Sequence, residues 1–231
     1  MSKKSSQRAA AAREAQAQAA KKKTRTTLMM VIVLAVVMLG AGTILLNGWG
    51  RSGEREEIIP VASHRVEIDV AGYGLITAEL YGNVAPITVE NFASLAQEGF
   101  YDGLTFHRII SGFMIQGGDP LGNGTGGSGK NIKGEFSGNG VNNPIAHERG
   151  VLSMARSSSP DSASSQFFIM HQAAPYLDGS YAAFGRVLTG MEVVDAICAE
   201  TPVIDGNGTV TKTNQPVINS IRVTEIPAQQ E

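Results

Sequence analysis

The chain has 231 residues, 42% hydrophobic and 17% charged, a balance that excludes wholesale disorder and leaves room for one sizeable core. Its single cysteine, Cys198, excludes an intrachain disulfide framework and any multi-cysteine metal site. The net charge of −2 hides an asymmetry: residues 1–27 carry eight basic side chains against Glu14 alone, and the remainder holds eleven against twenty acidic ones. A body this acidic repels a phosphate backbone, which argues against nucleic acid as a partner.

In chain order, residues 1–27 form a basic tail rich in Ala, Gln, Lys and Arg. Residues 28–46 follow, reading LMMVIVLAVVMLGAGTILL without a charge. At about 1.5 Å per residue such a helix reaches roughly 28 Å, close to the ~30 Å hydrocarbon core of a bilayer. No polar face is present, so a transmembrane anchor is expected. Lys21–Lys23 and Arg25 flank its first end and Trp49 its second, which predicts a cytoplasmic N-terminus and an extracytoplasmic body. The rival is a secretory signal cleaved at Gly40-Ala41-Gly42, but apolar sequence resumes at Ile44 and the preceding segment is long for a signal. Residues 47–63, with Gly, charges and Pro60, read as a linker.

From His64 the pattern alternates. Val66, Ile68 and Val70 share one face of a strand; Gly72-Tyr73-Gly74 supplies a turn, and Ile76, Ala78 and Leu80 alternate on the return. Pro86 suits the first position of a helix whose stripe is Val89, Phe92, Ala93 and Ala96, with Gly99 to end it. A second helix is expected from Thr189-Gly190-Met191-Glu192, a capping-box spacing, with Val193, Val194 and Ile197 inward and Cys198 as a small packing residue. Between the helices lie short β-type runs at 105–110, 113–116, 151–155, 166–170 and 182–187, and a last strand at 217–226. The pattern implies a mainly β domain over 64–231, a closed barrel or sandwich with helical caps.

Several motifs fall to plainer readings. Gly124–Lys130 has the spacing of a phosphate loop, but Asn131 replaces the hydroxyl that would hold magnesium and no helix pattern follows. The serines of 157–165 lack the G-x-S-x-G elbow of a hydrolase, and His147-Glu148 is no metal spacing; neither metal nor cofactor is expected. The segment from Phe106 to Asp119 is more informative. As a hairpin it brings Arg108, Phe113 and Gln116 to one face, a cation, an aromatic wall and an amide. On pattern alone Arg108 is equally a structural ion-pair residue.

The segments FHRIISGFMIQGGD (106–119), GTGG (124–127), VLSMAR (151–156), SQFFI (165–169), YLDG (176–179) and FGRV (184–187) together resemble the cyclophilins, with APITVENFASLA (85–96) similar to that family's first helix. The resemblance spans about residues 65–226. It implies a closed eight-stranded antiparallel barrel capped by two helices, and a peptidyl-prolyl cis/trans isomerase working without cofactor or metal. In that reading Arg108 is the catalytic donor to the twisting amide. Phe113, Met114, Phe168 and Leu177 line the proline pocket, Gln116 and Gln166 bind the substrate backbone, and Ala155 with the main chain of Arg156 holds the residue before proline. Three positions depart from the family pattern. Arg156 replaces a common Asn, Tyr176 stands where cyclosporin-binding members often carry Trp, and Tyr181 replaces a frequent His. The resemblance thus implies weakened cyclosporin binding with activity retained. Expected partners are proline-containing peptides and unfolded exported proteins, and the bilayer through residues 28–46. The competing reading is a non-catalytic proline-peptide binding module or chaperone on the same fold.

Overall fold

A computed structural model describes residues 58–227. The expected tail, anchor and most of the linker lie outside the described residues; among those described, no helix is long and apolar enough to cross a membrane. Eight strands and two helices follow one another in the chain: β1 (His64–Val70), β2 (Gly74–Leu80), α1 (Pro86–Gln97), β3 (Phe106–Ile110), β4 (Met114–Gly117), β5 (Val151–Met154), β6 (Phe167–Met170), β7 (Ala183–Thr189), α2 (Met191–Glu200) and β8 (Ile218–Glu225).

The strands form one antiparallel sheet in the order β3-β4-β6-β5-β7-β2-β1-β8. Contrary to the closed barrel expected from the sequence, the ladder is open. Between the edge strands β3 and β8 there is only an isolated bridge, Thr105 to Val217, with backbone bonds such as Ile218 N–H to Leu104 O at 2.7 Å. The cause is the connection before β8. Its residues 207–210 lie along the free edge of β3, where Thr209 bridges Arg108, Ile109 N–H donates to Gly208 O and Val210 N–H donates to His107 O. That segment takes the hydrogen-bonding positions β8 would need, and it covers an edge otherwise open to pairing.

The period-two alternation of β1 and β2 buries Val66, Ile68, Val70, Ile76, Ala78 and Leu80. They join an aromatic centre in which Phe92 of α1 packs against Tyr101, Phe167 and Phe184 at ring separations of 5.1–5.3 Å. Every residue of β5 and β6 is buried, because these strands are covered on both faces. Leu152, Ile169 and Ile115 enter the main core, whereas Val151, Met170 and Met114 join a second cluster with Phe168 and Leu177.

Both helices start without a local side-chain cap. At α1 the need is met from a distance: the buried Glu135 carboxylate accepts from the Ile87 and Thr88 N–H groups and from the Thr88 hydroxyl. An anion there also meets the positive end of the helix dipole. The capping box expected at α2 does not form. Thr189 is the last residue of β7 and its hydroxyl bonds Thr77 at 2.7 Å, leaving Gly190 as the cap. Gly190 takes φ +91° hard against the Leu75 carbonyl, a place without room for a Cβ. Cys198 packs part-buried against the core, as a packing residue should.

Candidate active site

The register of four strands builds the site. Arg108 of β3 pairs with Gln116 of β4, Gln116 with Phe168 of β6, and Phe168 with Ser153 of β5. Residues directly opposite across antiparallel strands share a face. A cation, an amide and an aromatic ring therefore stand in one row above the second cluster.

Above the row opens a cavity of about 660 Å³. Arg108, Phe113, Met114, Gln116, Ala155, Arg156, Phe168, Leu177 and Tyr181 all contribute to its wall, so most of the sequence-predicted residues meet in one place. Gln166 faces a neighbouring cavity of about 460 Å³. Tyr176 stands at neither wall; it is 72% exposed, with its ring 5.9 Å from that of Phe113.

Arg108 is held by two bonds. Its Nε donates to Asn207 O at 2.9 Å and its Nη1 to Gln116 Oε1 at 3.2 Å. Gln116 then donates to Gln166 Oε1, and Gln166 to Gly126 O, both at 2.8 Å. The relay fixes the amide orientations, since each Gln accepts on one side and donates on the other. No carboxylate among the described residues lies within ion-pair distance of Arg108. Burial lowers its pKa from the usual guanidinium value, opposed by Tyr181, Asp205 and Tyr176, and the group remains a cation at neutral pH.

Supports lie behind the row. The His147 ring stacks on Phe168 at 6.1 Å, with Nδ1 2.8 Å from Asp178 Oδ1 and Nε2 3.0 Å from the Ser153 hydroxyl. A carboxylate only accepts, which puts the proton on Nδ1 and makes Nε2 the acceptor of the serine proton. Burial pushes the His147 pKa down, opposed by Asp178. The turn carrying Phe113 is tied to His171, whose Nδ1 accepts from Gly112 N–H and whose backbone N–H donates to Phe113 O.

The Gly-rich loop is no phosphate cradle. Its backbone N–H groups turn inward onto the buried Asp119, which accepts from Leu121, Asn123 and Gly124 at 2.6–3.0 Å. Burial raises the Asp119 pKa, but these bonds, with one from Gly126, outweigh it and hold the carboxyl below its ordinary value. No helix starts at Lys130. Among the described residues no group of His, Cys, Asp and Glu is arranged to hold a metal ion.

Sequence reasoning missed one side of the cavity. Asn207, Thr209, Lys212 and Gln215 come from the connection before β8, which carries no periodic signal. It also missed His107, buried at the cavity wall with neither ring nitrogen bonded.

An open antiparallel sheet with two helices sets Arg108 over an apolar notch walled by Phe113, Met114, Phe168 and Leu177, the arrangement that defines the class. The cyclophilin-type peptidyl-prolyl cis-trans isomerase/CLD family model matches residues 65–226, and the chain belongs to that family as an isomerase of the cyclophilin type. It is similar to peptidyl-prolyl cis-trans isomerase B of Bacillus subtilis (strain 168), 55% identical over 117 residues, 51% of this chain and 78% of that one. A Helicobacter pylori (strain 26695) peptidyl-prolyl cis-trans isomerase is 47% identical over 126 residues, 54% of this chain and 74% of that one. Among solved structures, a Cryptosporidium parvum cyclophilin-type isomerase crystallised in the presence of the dipeptide Ala-Pro has a TM-score of 0.61 at 33% identity, covering 69% of this chain and 98% of that one.

Proposed function

We propose that the protein accelerates X–Pro bond rotation in exported or cell-surface proteins, with Arg108 stabilising the twisted amide. The uncatalysed barrier is ~18–20 kcal/mol because the amide is resonance-stabilised. Twisting removes that resonance and returns a lone pair to the prolyl nitrogen. A donor aimed at this nitrogen stabilises the transition state and neither planar isomer, which is what catalysis requires. The observation that carries the reading is the Arg108 guanidinium. It is fixed through Nε and Nη1, has no carboxylate among the described residues within ion-pair distance, and is set beside Phe113, Met114, Phe168 and Leu177, an apolar seat for a pyrrolidine ring. Preorganisation of this kind avoids reorganisation during the reaction. Gln116 and Gln166 bind the peptide backbone, and Ala155 with the main chain of Arg156 holds the residue before proline. The Ala-Pro dipeptide present with the Cryptosporidium isomerase is the chemistry this seat would take.

The test is a protease-coupled proline-peptide assay on the full chain. Wild type is expected to accelerate isomerisation, and Arg108→Ala to lose at least tenfold in kcat/KM, since a bond from a charged donor contributes about 1.5–3 kcal/mol. Arg108→Ala as active as wild type rejects the mechanism.

Residues 28–46 anchor this body to a membrane with residues 47–231 on the extracytoplasmic side. The supporting observation is nineteen uncharged residues behind a basic flank. Protease added to intact cells is then expected to remove the body and spare the tail; the reverse overturns the orientation. Cyclosporin binds weakly because Tyr176, in place of a larger indole, offers less surface at the rim.

A further inference from the structure

Arg156 is the one charged residue in the wall of the second cavity, and it also lines the first. Its guanidinium is held by two aromatic rings, with Cζ over the Tyr181 ring at 4.7 Å from the centroid and over that of Phe136 at 5.2 Å. Two edges are occupied as well: Nε donates to Ser180 O and Nη1 to Ser157 O, each at 2.9 Å. Its Nη2 has no hydrogen-bond acceptor among the described residues. None of their carboxylates is within ion-pair distance of it. An arginine stacked, oriented and left with one free edge is preorganised for an anion, because little side-chain freedom remains to be lost on binding.

The surroundings say which anion. The second cavity carries no acidic residue in its wall; besides Arg156 it is lined by glycine backbone and by small polar side chains such as Thr125, Ser162, Ser164 and Asn131. Such a wall suits a short hydrogen-bonding group and has little to offer an apolar one. Gln116, Gly124, Ala155 and Arg156 border both cavities. A peptide with its proline in the first cavity and its preceding residue along Ala155 and Arg156 therefore continues into the second.

We infer that Arg156 makes this isomerase selective for peptides bearing a carboxylate side chain two or three residues before the proline. The inference rests on the proposed placement of proline in the first cavity. The contact is remote from the rotating bond, so it is made equally in the ground and transition states. It acts on KM and leaves kcat nearly constant.

The experiment measures kcat and KM of the full-length protein on peptides of the form Xaa-Ala-Pro-Phe and Xaa-Ala-Ala-Pro-Phe, with Xaa as Glu, Gln or Lys. The expected result is a KM for Glu roughly tenfold below that for Gln in at least one series, and the highest KM for Lys. The Glu advantage should shrink as salt rises from about 0.05 to 0.5 M. In Arg156→Gln the ratio of Glu to Gln efficiency should fall towards one, and in Arg156→Lys to an intermediate value, since the charge stays and the stacking goes. Equal KM for the three side chains in both series of wild type overturns the inference while leaving the isomerase reading intact. No acceleration of any peptide rejects the isomerase reading itself. The wild-type series and its salt dependence decide the matter even if Arg156→Gln does not fold.

Discussion

Replacing Gln116 by leucine is expected to slow catalysis without unfolding the protein. Gln116 accepts from Arg108 Nη1 at 3.2 Å and donates to Gln166 Oε1 at 2.8 Å. Leucine removes both bonds and leaves Arg108 fixed only through Nε to Asn207 O. A hydrogen bond to a charged group contributes about 1.5–3 kcal/mol; the Arg108 bond is long and only part-buried, which favours the lower end. About 1.5 kcal/mol corresponds to roughly a tenfold loss in kcat/KM. The assay is protease-coupled isomerisation of a neutral proline peptide by wild type, Gln116→Leu, Arg108→Ala and the double variant. If Gln116 acts largely by aiming Arg108, its removal costs far less in the Arg108→Ala background than in wild type. Gln116→Leu within twofold of wild type, or full additivity in the cycle, refutes the relay.

Phe92→Ala should destabilise the domain by about 3–5 kcal/mol in urea melts, because Phe92 is fully buried among three aromatic rings. Burial lowers the folded-state pKa of His107 and His147 below the ordinary value of 6.5, so the unfolded chain binds more protons between the two values. The contribution of these histidines is complete above pH 6.5 and is lost as pH falls through the folded pKa. Denaturant melts across that window should show falling stability on acidification, and His147→Gln should flatten the slope. The Cys198 thiol is pushed up to about 11, first by burial and then by Asp195. Alkylation at neutral pH should therefore be slow in the folded protein and fast in denaturant.

The elements legible in the sequence are those whose local pattern and tertiary role agree. β1 and β2 are covered on one face, so alternation marks them, and α1 carries one apolar stripe that is its buried face. In β5 and β6 burial on both faces erases the alternation, and only short apolar runs locate them. Remote partners were illegible. The cap of α1 is Glu135, 47 residues from Thr88, and the second anchor of Arg108 is a carbonyl 99 residues away. Thr189 misled because its hydroxyl had a cross-strand choice, Thr77, that no local spacing reveals. The open ladder has the same origin, since nothing in residues 201–217 signals that 207–210 lie along β3. The convergence of Arg108, Gln116 and Phe168, by contrast, follows from strand register once the hairpin is granted.

The pairing of β1 with β8 brings the first residue of the domain, His64, opposite Glu225 near its end. During synthesis the first strand of the domain leaves the ribosome with one edge available to β2 and the other waiting for residues 218–225, the last of its eight strands to emerge. Co-translational folding of this domain therefore waits one strand short, with an edge open to stray partners until β8 has emerged. An isomerase of proline bonds thus depends, for its own completion, on a strand 148 residues downstream of the β1 edge it must cover.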